Sequence, residues 1–155
     1  MCNTSITIKQ GENAPSFEAL TADGSKLSLK EFIGKKNVVL YFYPKDDTPG
    51  CTKEACNFRD NIKSLEGLGA EIIGVSLDSV DSHKKFRDKY HLPFPLLSDK
   101  EKRIANAYGV LKEGGGSASR VTFIIDKKGK IAKIFPKVDV NVHTSEVAAA
   151  LKELS

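Results

Sequence analysis

VVLYFYPKDDTPGCTKEACNFRD, residues 38–60, is the stretch that decides how this chain is read. It opens as an unbroken β-branched and aromatic run, VVLYFY (38–43), the pattern of a strand buried on both faces. PKDDTPG follows, with two prolines and a glycine that stop the strand and turn the chain. From Thr52 to about Leu65 the apolar spacing predicts a helix. Strand, tight loop and helix in that order open a βαβ unit. They put Cys51 at, or just before, the first turn of the helix.

The alternation continues outward from this segment. FEALTADGSKLSL (17–29) predicts a hairpin around Asp23-Gly24, and EIIGVSL (71–77) a second buried strand. DSHKKFRDKY (81–90) predicts a helix capped by Asp81 or Ser82, and FPLLSD (94–99) a short extended piece. KEKRIANAYGV (100–110) predicts a helix that stops near Gly109. VTFIID (121–126) and KIAKIF (130–135) are strands joined by a KKG turn, and an Ala- and Leu-rich helix runs from Thr144 to Leu154. The order β-α-β-α followed by β-β-α is that of an α/β, thioredoxin-like fold. It predicts a central mixed β-sheet flanked by helices, with an N-terminal β-hairpin. GGGS (114–117) is too short for a linker, so residues 1–155 are expected to form a single domain.

Bulk properties narrow the function. A chain of 155 residues, 40% hydrophobic and 28% charged, is large enough for one real core. The net charge of +4 is spread without blocks of one sign, which argues against a nucleic-acid partner. No apolar run approaches the roughly 18 residues of a membrane span. The start, MCNTSITIKQGENAPSF, lacks a basic segment followed by an apolar one, so no secretory signal and no membrane association are expected. Three cysteines are odd in number and too few for a disulfide scaffold. A reducing, cytoplasmic setting is expected, where paired cysteines serve redox chemistry or bind metal.

The residues around Cys51 favour reactivity. Free backbone N–H groups and the positive end of the helix dipole favour an anion at a helix start, and a thiolate is one. Pro44 and Pro49 stiffen the loop, and Gly50 allows close backbone approach or a positive φ. Thr48 offers a hydroxyl that both donates and accepts, or serves only as a helix cap. Cys56 lies five positions on. In an ideal helix that separation puts Cα atoms about 8–9 Å apart, beyond the roughly 7 Å reach of a disulfide. Pairing of Cys51 with Cys56 would need the first turn to unwind; otherwise Cys56 is a buried helix cysteine. The C-x-x-C spacing of ordinary disulfide exchange is absent. His83, His91 and His143 are scattered and read as surface or structural residues, so no metal site and no cofactor are expected.

PKDDTPGC carries P-x-x-x-T-x-x-C, the active-site motif of the peroxiredoxins. The longer string YFYPKDDTPGCTKEAC resembles their bacterioferritin-comigratory, or Q-type, branch. The likeness runs from GENAPSF through SRVTFIID. It implies that Cys51 is the peroxidatic cysteine, Thr48 the hydroxyl that orients peroxide and Pro44 the shield of the reactive sulfur. It matches Arg120 to the active-site arginine, Glu54 to the carboxylate that supports it, and Cys56 to the resolving cysteine. Arg120 also suits the role physically, because an arginine just ahead of a buried strand can reach a neighbouring strand-to-helix loop. Cys2 has no counterpart and reads as a tail thiol. The resemblance further implies a peroxide substrate, a thioredoxin-like dithiol reductant and a monomer. The residues alone leave open a thiol-disulfide oxidoreductase, a redox sensor and a non-catalytic binding module on the same fold.

Overall fold

β3 (Asn37–Phe42) is the strand of the opening stretch, and all six of its residues are buried. The structure, a computed structural model, describes residues 8–154, so Cys2 lies outside the described residues. The other strands are β1 (Glu18–Thr21), β2 (Lys26–Ser28), β4 (Ala70–Ser76), β5 (Leu96–Ser98), β6 (Val121–Ile125) and β7 (Ile131–Phe135). The helices are α1 (Pro49–Asp60), α2 (Ile62–Gly67), α3 (Val80–Tyr90), α4 (Arg103–Tyr108) and α5 (His143–Glu153). Among the described residues the strands form one sheet in the order β2-β1-β5-β4-β3-β6-β7. β3, β4 and β5 run parallel, while β6, β7 and the β1–β2 hairpin run antiparallel to their neighbours. This is the mixed sheet that the strand and helix order predicts.

The period-2 alternation of β3 builds two cores. Val38, Leu40 and Phe42 join one, with Phe123 of β6 and Ile104, Ala105 and Tyr108 of α4. Val39 and Tyr41 join the other, with Cys51, Ala55 and Phe58 of α1, Leu65 of α2, Phe86 of α3 and Leu151 of α5. Helices therefore cover both faces, and the sheet is buried on both sides, as parallel strands require.

Four boundaries differ from the sequence expectation. α1 begins at Pro49 rather than Thr52, because proline suits the first helical position. The predicted single helix breaks at Asn61, whose side-chain amide donates to the Asn57 carbonyl at 2.9 Å and competes with the backbone there. The cap of α3 is Ser79, not Asp81 or Ser82: its hydroxyl accepts from the Ser82 N–H at 3.2 Å. α4 is also shorter than expected. The Asp99 carboxylate accepts from the N–H groups of Ile104 (3.1 Å) and Ala105 (2.8 Å) and fixes its start.

Gly74 of β4 sits opposite Tyr41 in the parallel register. A Cβ there would lie 2.8 Å from the Tyr41 hydroxyl and 2.9 Å from Leu96 Cδ2, so only glycine lets the ring lie across the strand. Gly74→Ala is expected to destabilise the fold by about 1–3 kcal/mol through overpacking, read as a lower urea midpoint at unchanged slope. A wild-type midpoint would show that the Tyr41 ring can swing clear.

Candidate active site

The β3–β6 register builds the site. Phe42 at the end of β3 pairs with Val121 at the start of β6, so Arg120 stands beside the loop that leaves β3. That loop turns through Asp47, which has a left-handed φ of 57° tolerated by aspartate, and enters α1 at Pro49. Cys51 is thus the third helical residue, and its side chain is buried in the core beneath α1.

Arg120 links two acids. Its Nη2 donates to Cys51 Sγ at 3.3 Å, and its Nη1 donates to Glu54 Oε1 at 2.7 Å. Glu54 is one turn along α1 from Cys51, which is why both reach the same guanidinium. A Cβ on Gly50 would stand 3.0 Å from Arg120 Nη2, so the glycine serves close approach rather than a positive φ. Thr48 is the N-cap residue of α1, but its hydroxyl makes no cap bond; it donates to the Lys45 carbonyl at 3.0 Å. Pro44 is half-buried in the same loop. Arg120 therefore meets Cys51, Glu54 and Gly50, while Thr48 and Pro44 lie in the loop that leads into this turn. Cys56 is half-buried two turns along α1 and, like Cys51, is a free thiol. Both lie in one continuous helix, so the ideal-helix separation of about 8–9 Å applies.

Residues 10–134 match the AhpC/TSA family. The chain belongs to that family. Peroxiredoxin Bcp of Bacillus subtilis is 46% identical over 156 residues, covering 97% of this chain and 99% of its own length. Among solved structures, peroxidoxin BcpB from Mycobacterium tuberculosis matches with a TM-score of 0.87 at 33% identity, over 96% of this chain and 99% of that one. A PrxQ variant from Xylella fastidiosa matches with a TM-score of 0.89 at 30% identity, over 95% and 97%. The family and its branch are those the motif resembles, and the chain is a peroxidase-class oxidoreductase with a thioredoxin-like peroxiredoxin fold. Among the described residues no helix is long and apolar enough to cross a membrane.

The sequence reading takes His83 for a surface or structural residue and does not pair it with Asp46. Asp46 and His83 are both buried, and their side chains meet at 2.8 Å just behind the loop. The contact spans 37 positions of sequence, and no local pattern announces it. His143 is also buried, with Nε2 against the Thr122 hydroxyl at 2.7 Å, whereas His91 ends α3 in a left-handed conformation. A cleft of about 700 Å³ is lined by residues such as Lys26, Asp81 and Arg103, and none of its lining residues belongs to the Cys51 site.

Burial pushes the Glu54 carboxyl from 4.5 up to about 7, although Arg120 pulls it back down. Its Oε2 makes no hydrogen bond among the described residues, which suits an oxygen that carries a proton. The Arg120 guanidinium loses hydration, but Glu54 and Cys51 hold it firmly charged. The folded state thus binds a proton at Glu54 more tightly than the unfolded chain. That contribution to stability is full below pH 4.5 and is lost as pH rises through about 7. Glu54→Gln cannot ionise, so its stability relative to wild type should rise between pH 5 and pH 8, by up to about 3 kcal/mol. Urea unfolding at the two pH values measures this, and parallel profiles would contradict the assignment.

Proposed function

We propose that the protein reduces hydrogen peroxide and organic hydroperoxides through Cys51, with Cys56 as resolving thiol. The observation that carries the proposal is Arg120 Nη2 at 3.3 Å from Cys51 Sγ, inside the Pro-Thr-Cys loop. The guanidinium is a fixed cation beside a buried sulfur, and its N–H groups are donors for a peroxide oxygen.

The cycle has three steps. The Cys51 thiolate attacks one peroxide oxygen and the O–O bond breaks; Cys51 becomes a sulfenic acid, and the leaving oxygen departs as water or alcohol after gaining a proton. The first turns of α1 then unwind. The Cys56 sulfur attacks the Cys51 sulfenic sulfur, the S–O bond breaks, and water leaves as the Cys51–Cys56 disulfide forms. A dithiol protein of the thioredoxin type reduces that disulfide by exchange and takes the oxidised state itself. In this reading Thr48 orients the peroxide, Pro44 shields the sulfur, Gly50 admits Arg120 and Glu54 steadies it. The chain works as a monomer in a reducing compartment, the cytoplasm, without a cofactor.

Ionisation alone is too small an effect. An ordinary thiol is about 3% ionised at pH 7, so complete ionisation gains about 30-fold. Holding the peroxide in line and meeting the charge on its oxygens must supply the rest. Arg120→Met should therefore slow peroxide reduction by far more than about 30-fold. The loss should persist at high pH; full recovery there would reduce Arg120 to an aid to ionisation.

The cycle itself is tested by treating reduced protein with one equivalent of hydrogen peroxide and mapping cysteine states by mass spectrometry. Wild type should give a Cys51–Cys56 disulfide, and Cys56→Ser a Cys51 sulfenic or sulfinic acid. Cys51 left as a thiol while peroxide persists would end the peroxidase reading.

A further inference from the structure

The loop between β3 and α1 is tied down by a buried polar network. Asp46 is its centre and is only 7% exposed. Its Oδ1 accepts from the Tyr43 hydroxyl at 2.6 Å, and its Oδ2 accepts from the Ser82 hydroxyl at 2.8 Å. The same Oδ2 lies 2.8 Å from His83 Nδ1. His83 Nε2 donates to the Leu97 carbonyl at 2.8 Å, which fixes the ring against β5. The Asp46 backbone N–H donates to Asp78 Oδ2 at 2.8 Å, and the Ser76 hydroxyl donates to that oxygen at 2.6 Å. Asp46 is thus bonded beside the ends of β3 and β4 and to α3, and reaches β5 through His83.

The chain on either side of Cys51 differs in how it is held. Next to Asp46, the Asp47 carboxylate accepts from Lys89 Nζ and the Tyr90 hydroxyl, each at 2.8 Å. Beyond Cys56, Asn57 Nδ2 donates to the Val140 carbonyl at 2.8 Å and Arg59 Nη1 to the Tyr90 carbonyl at 2.7 Å. Residues 48–56 lie between these ties. Within them, the Thr48 hydroxyl donates to the Lys45 carbonyl of the same loop, and the Thr48 carbonyl accepts the first helical N–H, from Thr52, at 2.8 Å.

We propose that Asp46 is a positioning residue: its buried carboxylate, held by Tyr43, Ser82 and His83, fixes the loop that sets Thr48 and Cys51 against Arg120, and it stays in place while the first turns of α1 unwind. The inference rests on the peroxidase cycle above. It assigns the network to the peroxide step, which needs Cys51, Thr48 and Arg120 aligned to a fraction of an ångström. It leaves disulfide closure, which needs residues 48–56 to move, independent of Asp46.

The test separates the two steps. The rate of Cys51 sulfenic acid formation is measured in a Cys56→Ser background, and disulfide closure is timed with Cys56 present. Asp46→Ala should slow the first step by about 10-fold or more, since a misplacement of about 1 Å can cost about 100-fold. Closure should stay within about twofold of wild type, because nothing in that step needs the loop aligned. Ser82→Ala removes a single donor and gives a second, milder variant should Asp46→Ala not fold; a loss of about 2–5-fold in the first step alone is expected. A first step within about twofold of the control in whichever variants fold, or equal slowing of both steps, would overturn the inference. The Cys56→Ser control distinguishes the two readings: failure of the control itself to react removes the peroxidase cycle, and the inference with it.

Discussion

One guanidinium facing two acids is the interaction on which the site depends. Arg120 spans Cys51 and Glu54 at 3.3 and 2.7 Å, in a region closed to water on the helix side. One positive charge cannot fully stabilise two buried anions, so the carboxyl and the thiol compete for it. Burial raises the Glu54 value, and the shared guanidinium only partly offsets it. When Glu54 is protonated, the guanidinium's charge is left to the sulfur at 3.3 Å.

The sheet makes that contact possible. Arg120 is in place because β6 runs antiparallel to β3, with Val121 opposite Phe42. The loop between β3 and Cys51 is held from behind by the Asp46 bonds to Tyr43, Ser82 and His83. Loops at the carboxyl ends of parallel strands commonly carry function, and here Asp46 and Asp78 join the ends of two such strands. The strands supply rigidity, and the loop converts it into the position of a sulfur atom.

Much of this was legible in the sequence, for identifiable reasons. VVLYFY announced a strand buried on both sides because both of its faces meet a core. Cys51 after Pro49-Gly50 announced a sulfur at a helix start, since proline fixes its φ and suits the first helical position. Arg120, Thr48 and Glu54 were legible through the family motif, and Arg120 also through its position ahead of a strand. The break at Asn61 was hidden because it depends on a side-chain bond to Asn57 rather than on composition. The Ser79 cap was missed because Asp81 and Ser82, two and three positions on, are equally good cap residues. Asp46 and His83 were invisible for a deeper reason: each is an unremarkable polar residue until the fold brings them together from 37 positions apart.

The two cores separated by the sheet bear on endurance. An enzyme that opens a helix in every turnover is a machine under repeated load, and such parts fail where strain accumulates. In the proposed cycle only the layer beneath α1 is disturbed, since Cys51 and Ala55 belong to that core. The opposite layer, with Phe42, Phe123 and Tyr108, shares no side chain with it. The sheet acts as a bulkhead: one compartment flexes, and the other keeps the strands in register for the next cycle.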